Sequence, residues 1–180
     1  MTHQQIRALF AEIEAVDTFY HPHPDTATPL PMRCLTLPQL SWEPAALEAT
    51  LGIDLPIDLK YLWDGCSGIV LFQDMTYSQW GLVLWSPDQA LVRHQRYITT
   101  LYDEPGDVLA GDFIIGEFLG DRELIVIRSD ATADDFGTVV IARPLDARQD
   151  WPSVAASISE FLSRFLRANL QRFGEKYWER

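Results

Sequence analysis

Residues 112–142 read DFIIGEFLGDRELIVIRSDATADDFGTVVIA, and this stretch decides the fold class. Within it, Asp112 to Ile115, Leu124 to Arg128 and Thr138 to Ala142 are rich in β-branched and aromatic residues and predict three strands. Between them stand Gly116, Gly120, Asp121, Asp135 and Gly137, residue types that accept turn backbone at little steric cost. A parallel pair would need a crossover of about a dozen residues or more, so gaps this short predict an antiparallel meander.

Working toward the N-terminus, Trp80 to Trp85 carries large apolar residues at both parities, the pattern of a strand covered on each face. Ser86, Pro87 and Gln89 then combine an N-cap, a first-turn proline and a capping-box glutamine. They predict a helix whose stripe is Leu91, His94, Tyr97, Ile98 and Leu101. Before the strand Ile69 to Phe72, a helix beginning at Pro56 buries Leu59, Leu62 and Trp63 and is ended by Gly65 and Gly68. Trp42 to Leu51 forms a shorter helix stopped by Gly52. Thr2 and Gln5 make a capping-box pair for a helix over 3–16 with Ile6, Leu9, Phe10, Ile13 and Val16 on one face. Pro22, Pro24, Pro29, Pro31 and Pro38 forbid helix over 17–40 and predict an extended arm. Toward the C-terminus, Asp150 is the expected N-cap of a long closing helix. Its stripe is Val154, Ile158, Phe161, Leu162, Phe165, Leu166, Leu170 and Phe173, and Gly174 ends it.

These elements predict an α+β fold in a single domain over 1–180, a largely antiparallel sheet packed by N-terminal helices and a long C-terminal helix. Residues 1–40 are the helix and proline-rich arm, and 41–173 the core. With 47% hydrophobic and 22% charged residues in 180, the chain is far from disordered composition and long enough to bury roughly 70% of its unfolded surface. Its 14 Lys and Arg against 26 Asp and Glu give a net charge of −12, and its lysines are Lys60 and Lys176 alone. Binding to nucleic acid or anionic lipid needs clustered cations, so neither is expected, and a basic protein partner fits better. No apolar run reaches the length of about 18 residues that spans a membrane, and the start lacks the cationic and apolar regions of a secretory signal, so the expected address is the cytoplasm.

Residue types that carry chemistry do not assemble into a catalytic pattern. His21 and His23 beside Asp25 lie in a proline loop without the rigidity metal sites use, so no metal is expected there. His94 shares the apolar stripe of its helix and reads as a satisfied core histidine. Gly65, Cys66, Ser67, Gly68 fails the Gly-x-Ser-x-Gly elbow, and Cys66 follows a helix end, where the dipole does not activate a thiol. Cys34 and Cys66 read as reduced thiols in a cytosolic protein. Asp130, Thr132, Asp134 and Asp135 resemble half of a calcium loop, but Asp135 occupies the obligatory glycine position and no closing glutamate follows. Gly116, Gly120 and Asp121 lack the Gly-Lys-Ser/Thr of a phosphate loop. No catalytic residue, metal or cofactor is expected.

What remains is acidity. Asp103, Glu104 and Asp107 precede the meander, and Asp112, Glu117, Asp121, Glu123, Asp130, Asp134 and Asp135 punctuate it. Such residues form solvated turns, and concentrated on one face they would also accelerate docking of a basic protein. The seven meander residues are therefore the candidate partner-binding set, with Trp42 or Trp178 as candidate aromatic anchors.

Three segments carry a family likeness: Leu51, Gly52, Ile53, Leu55, Pro56, Asp58, Leu59 and Leu62 to Gly65; Ile115, Gly116, Glu117, Gly120, Asp121, Glu123, Leu124 and Ile127; and Trp151, Val154, Ala155, Ser157, Phe161 and Leu162. In this order the chain resembles the SUKH superfamily, bacterial immunity proteins that neutralise polymorphic toxins together with fungal cell-wall regulator relatives. Leu55, Pro56, Gly65, Gly116, Gly120, Trp151 and Phe161 are the structural positions of that likeness. Cys66 and Ser67 stand where many members have an asparagine-glycine pair, and the first 40 residues lie outside the resemblance. It implies a protein-binding domain without a catalytic centre; resemblance and acidic charge together lead to the expectation of an immunity protein against a toxin such as a basic nuclease, and a monomer or weak homodimer is expected. A regulator or scaffold of the same fold binding cellular proteins is the alternative, and a small hydrolase the remotest reading.

Overall fold

The computed structural model describes residues 3–16, 18–22, 29–100, 108–143, 146–172, 174 and 176–179. Among these residues, five α-helices and eight strands build one α+β domain: α1 (His3–Glu14), β1 (Thr18–Pro22), β2 (Pro29–Leu37), α2 (Pro44–Leu51), α3 (Ile57–Gly65), β3 (Gly68–Asp74), β4 (Leu82–Leu84), α4 (Pro87–Thr100), β5 (Asp112–Phe118), β6 (Leu124–Arg128), β7 (Val139–Ala142), β8 (Ser153–Ala155) and α5 (Ile158–Gln171). The strands lie in chain order across one sheet, every neighbouring pair antiparallel.

The meander is present with the pairs Asp112↔Arg128, Leu124↔Ala142 and Ile127↔Val139. Gly116, read as a turn residue, instead lies inside β5. A Cβ there would sit 2.4 Å from the Val83 carbonyl oxygen, so glycine lets β4 and β5 approach. The arm is also more than a connection. Its two ends form a β1–β2 hairpin, and β2 continues the sheet onto β3. Pro29 and Pro31 precede Met32↔Asp74, the last β2–β3 pair, so their missing amides break no ladder bond on that side.

The closing helix starts later than Asp150. Pro152 blocks helix through this segment, and Trp151 before it is extended (φ −72°, ψ 122°). Arg148–Asp150 make a single 3-10 turn, and Ser153–Ala155 become β8 against β7, which moves Val154 from the helix stripe to the sheet. The N-cap is Ser157: its side chain accepts from the Glu160 amide, and Glu160 Oε2 accepts from the Ala156 amide at 3.0 Å. Thr2, Leu101 and Phe173 fall outside the described residues.

Helices α1, α3 and α5 touch one another, while α1 also meets β2 and α5 meets β8. Phe161 and Phe165 of α5 pack edge-on to Phe118 of β5, and Phe165 meets Phe72 of β3 in the same way. Gly65 ends α3 where α1 crosses it, since a Cβ there would lie 2.4 Å from the Phe10 ring. The α4 helix leaves the sheet where β4 stops, with Ser86 Oγ accepting from the Gln89 amide at 3.2 Å.

Candidate protein-binding surface

The seven acidic residues divide between the two ends of β6. At one end Asp112 is 3% exposed, and its carboxylate is clamped by Arg128 Nη1 and by Arg148 Nη2 at 3.3 Å, while Asp112 Oδ2 accepts from the Leu109 amide at 2.8 Å. Arg128 Nε also donates to Asp135 Oδ2 at 3.0 Å. Burial disfavours the charge on Arg128, but Asp112 first and Asp135 second outweigh it and hold the guanidinium above its ordinary pKa. Asp112 is thus part of a core ion cluster and has no surface to offer a partner, contrary to the sequence reading. In the adjoining turn, Asp130 Oδ1 accepts from the Thr132 amide at 2.9 Å and its hydroxyl at 2.6 Å, bonds that hold its carboxyl below the usual range. Asp134 and Asp135 are exposed.

At the opposite end Glu123 is 8% exposed, accepting from Lys176 Nζ at 2.7 Å and lying 3.3 Å from Arg143 Nε, so it too is structural rather than a docking group. Asp121 is exposed and pairs with Lys176 at 2.9 Å. Desolvation opposes the Lys176 charge, yet Glu123 and then Asp121 raise its pKa. Glu117 pairs with Arg93 at 3.3 Å. The four steps from Leu124 to Arg128 along β6 span about 14 Å, so these two groups form separate patches and not one face. Asp103, Glu104 and Asp107 lie outside the described residues.

The other candidates have structural explanations. His94 Nδ1 accepts from the Ile114 amide at 3.4 Å, filling the place that β4 is too short to pair, and its ring meets Phe113 edge-on. Burial pushes its pKa below the ordinary value, partly offset by Asp112. Burial pushes the Cys34 thiol up to about 11 and the Cys66 thiol to about 12, and Ser67 is 5% exposed. Among the described residues no three His, Cys, Asp or Glu side chains group as metal ligands, and His23 and Asp25 are not described. No helix among them is long and apolar enough to cross a membrane.

The positions of the family likeness are scaffold. Leu55 is 3% exposed, and its amide donates to Glu48 Oε1 at 2.8 Å, beside Pro56 at the start of α3. Trp151 Nε1 donates to the Asp146 carbonyl at 2.9 Å with the Arg148 guanidinium over its ring, and Phe161 is fully buried. Gly120 (φ +94°) must be glycine, because a Cβ would sit 2.2 Å from the Gln79 carbonyl oxygen of the β3–β4 turn.

A family model described as SMI1 / KNR4 family (SUKH-1) matches residues 41–164, most of the chain and all three motif segments. The chain belongs to that family. A search of curated proteins finds no match. Membership gives this SUKH-1 domain a protein-binding fold of the immunity and regulatory type.

Two concave features escaped the sequence reading because distant segments make them. One, of about 300 Å3, lies between Phe72, Trp80, Phe118 and Phe165, with Asn169 and the Asp121–Lys176 pair also lining it. The other, of about 290 Å3, runs between α2 and α4 over Trp42 and Leu47. Trp42 is half-buried, donating from Nε1 to Asp64 Oδ1 at 3.1 Å, and Trp178 packs on Phe118, Phe161 and Phe165, so neither stands free as an isolated anchor.

Proposed function

We propose that this SUKH-1 protein is a non-enzymatic immunity protein that binds and neutralises a basic toxin domain, such as a nuclease, in the cytoplasm of a bacterium. The observation that carries the reading, beside family membership, is charge: −12 overall, with Asp134 and Asp135 exposed in the β6–β7 turn. A nuclease must present cations where phosphates bind, and an acidic protein covering that site excludes the substrate by occupying it. Of the acidic set, Asp121, Asp130, Asp134 and Asp135 are the members that can meet a partner, with Glu117 at the flank. The protein acts as a monomer or weak homodimer, and no cofactor or nucleic acid takes part.

The test is affinity capture of the tagged protein from its source, with the captured partner purified and assayed for nuclease activity with and without added chain. A stoichiometric basic partner whose activity is lost on addition is the expected result. A partner whose activity is unchanged, or a housekeeping complex, would replace this reading with the regulator or scaffold.

A further inference from the structure

Helix α2 has the sequence PAALEATL and is apolar nearly all round, yet Leu47 is its one buried residue and Ala45, Ala46, Ala49 and Thr50 are exposed. A helix of that composition belongs in an interior or against a partner. Its polar groups are already used internally: Glu48 Oε1 meets Lys60 Nζ at 2.7 Å, and Thr50 Oγ1 donates to the Ala46 carbonyl at 2.8 Å. Across the groove, α4 contributes the buried Pro87 and the half-buried Leu91. Trp42, which also lines the groove, donates from its indole nitrogen to Asp64. The two side chains with charge that line the groove are Glu43 and Asp88, both exposed and acidic. Arg93, further along α4, is turned over the Trp85 ring at 4.7 Å and paired with Glu117.

We propose that the α2–α4 groove is a docking site for a basic amphipathic helix of a protein partner. Small alanines on α2 allow a third helix to approach at the ordinary interaxial distance of about 8–10 Å, its apolar residues seated between Ala46, Leu47 and Leu91. Its lysines and arginines then face Glu43 and Asp88. A second copy of this chain is a poor occupant, since like charges would meet across the rim. The inference rests on the protein-binding reading above and adds to the acidic turns, which steer the approach, a groove in which a helix can seat.

The probe is a peptide of about 14 residues, roughly four helical turns, with leucine and alanine on one face and lysine on the other, alongside its glutamate-for-lysine counterpart. Titration into the labelled protein is followed by amide and indole shifts. The groove predicts saturable changes at Trp42, Ala46, Leu47, Thr50, Asp88 and Leu91, about tenfold weaker binding of the glutamate peptide, and about tenfold loss in Ala46→Lys. Ala46 is exposed and lysine is a good helix former, so that variant keeps its circular dichroism and melting point. Shifts centred on Asp130–Asp135 or on Asp121, equal binding of both peptides, or no saturable binding would overturn the proposal. The two readings fail separately. A captured partner that is not inhibited removes the immunity function alone, and a partner still neutralised at full affinity by Ala46→Lys removes the groove alone.

Discussion

Asp112→Ala tests whether this carboxylate belongs to the core. The Asp112 carboxylate has no exposed side-chain surface and serves Arg128, itself 7% exposed at its side chain, and Arg148 at 20%. Removing it leaves a buried guanidinium facing Asp135 alone, and deletes the acceptor of the Leu109 amide. Breaking a buried pair from one side costs about 3–5 kcal/mol, because the stranded charge is not rehydrated. For a chain of this size each kcal/mol moves the melting temperature by about 2–4 °C, so a drop of about 6–20 °C is expected. Urea unfolding followed by far-ultraviolet circular dichroism measures the free-energy loss and a thermal scan the temperature drop, with Asp134→Ala as the reference, an exposed change expected within about 0.5 kcal/mol. A loss below about 1 kcal/mol in Asp112→Ala would refute the assignment of Asp112 to the core and return it to the surface.

Ser157→Ala removes the acceptor of the Glu160 amide and should cost about 1 kcal/mol in the same assay, while Asp150→Ala should leave helix stability unchanged. His94 has a folded pKa below its unfolded value of about 6.5, so the stability it contributes is complete above that pH and is lost as the pH falls through it toward the folded value. Urea midpoints from pH 7.5 to 5 should decline, and His94→Asn should flatten that part of the slope. Cys34 and Cys66, with pKa values pushed up to about 11 and 12 by burial, should resist an aromatic disulfide reagent at pH 8 until denaturant is added. Prompt labelling of either would show that the thiol is accessible.

The central meander is legible because local chemistry and global topology agree there: Gly120, Asp121, Asp135 and Gly137 mark turns between strands too close for a crossover. Ser86 and Gly52 mark helix ends by the same local logic, and both do that work in the structure. The errors arise where one local signal masks another. Asp150 is an acceptable N-cap, but Pro152 intervenes, and the Ser157-x-x-Glu160 box was present in the sequence as the stronger signal. The prolines of the arm exclude helix correctly without revealing that Pro29 and Pro31 precede the last β2–β3 pair. Acidic residues are the least readable, since exposure depends on distant partners. Asp112 finds Arg148 36 positions away and Glu123 finds Lys176 53 positions away, so two of seven expected surface charges are interior. The α2–α4 groove has no linear signature, although the apolar character of residues 44–51 beside one buried leucine is its trace.

Recruitment of a basic protein by the acidic surface is read out by the dependence of association rate on salt. The captured partner should bind the wild-type chain at a rate that falls steeply as ionic strength rises and the Debye length shrinks from about 30 Å at 0.01 M to about 8 Å at 0.15 M. Asp134→Lys should slow association at low salt with little change in dissociation. An association rate indifferent to salt and to Asp134→Lys would rule out recruitment through the acidic turns.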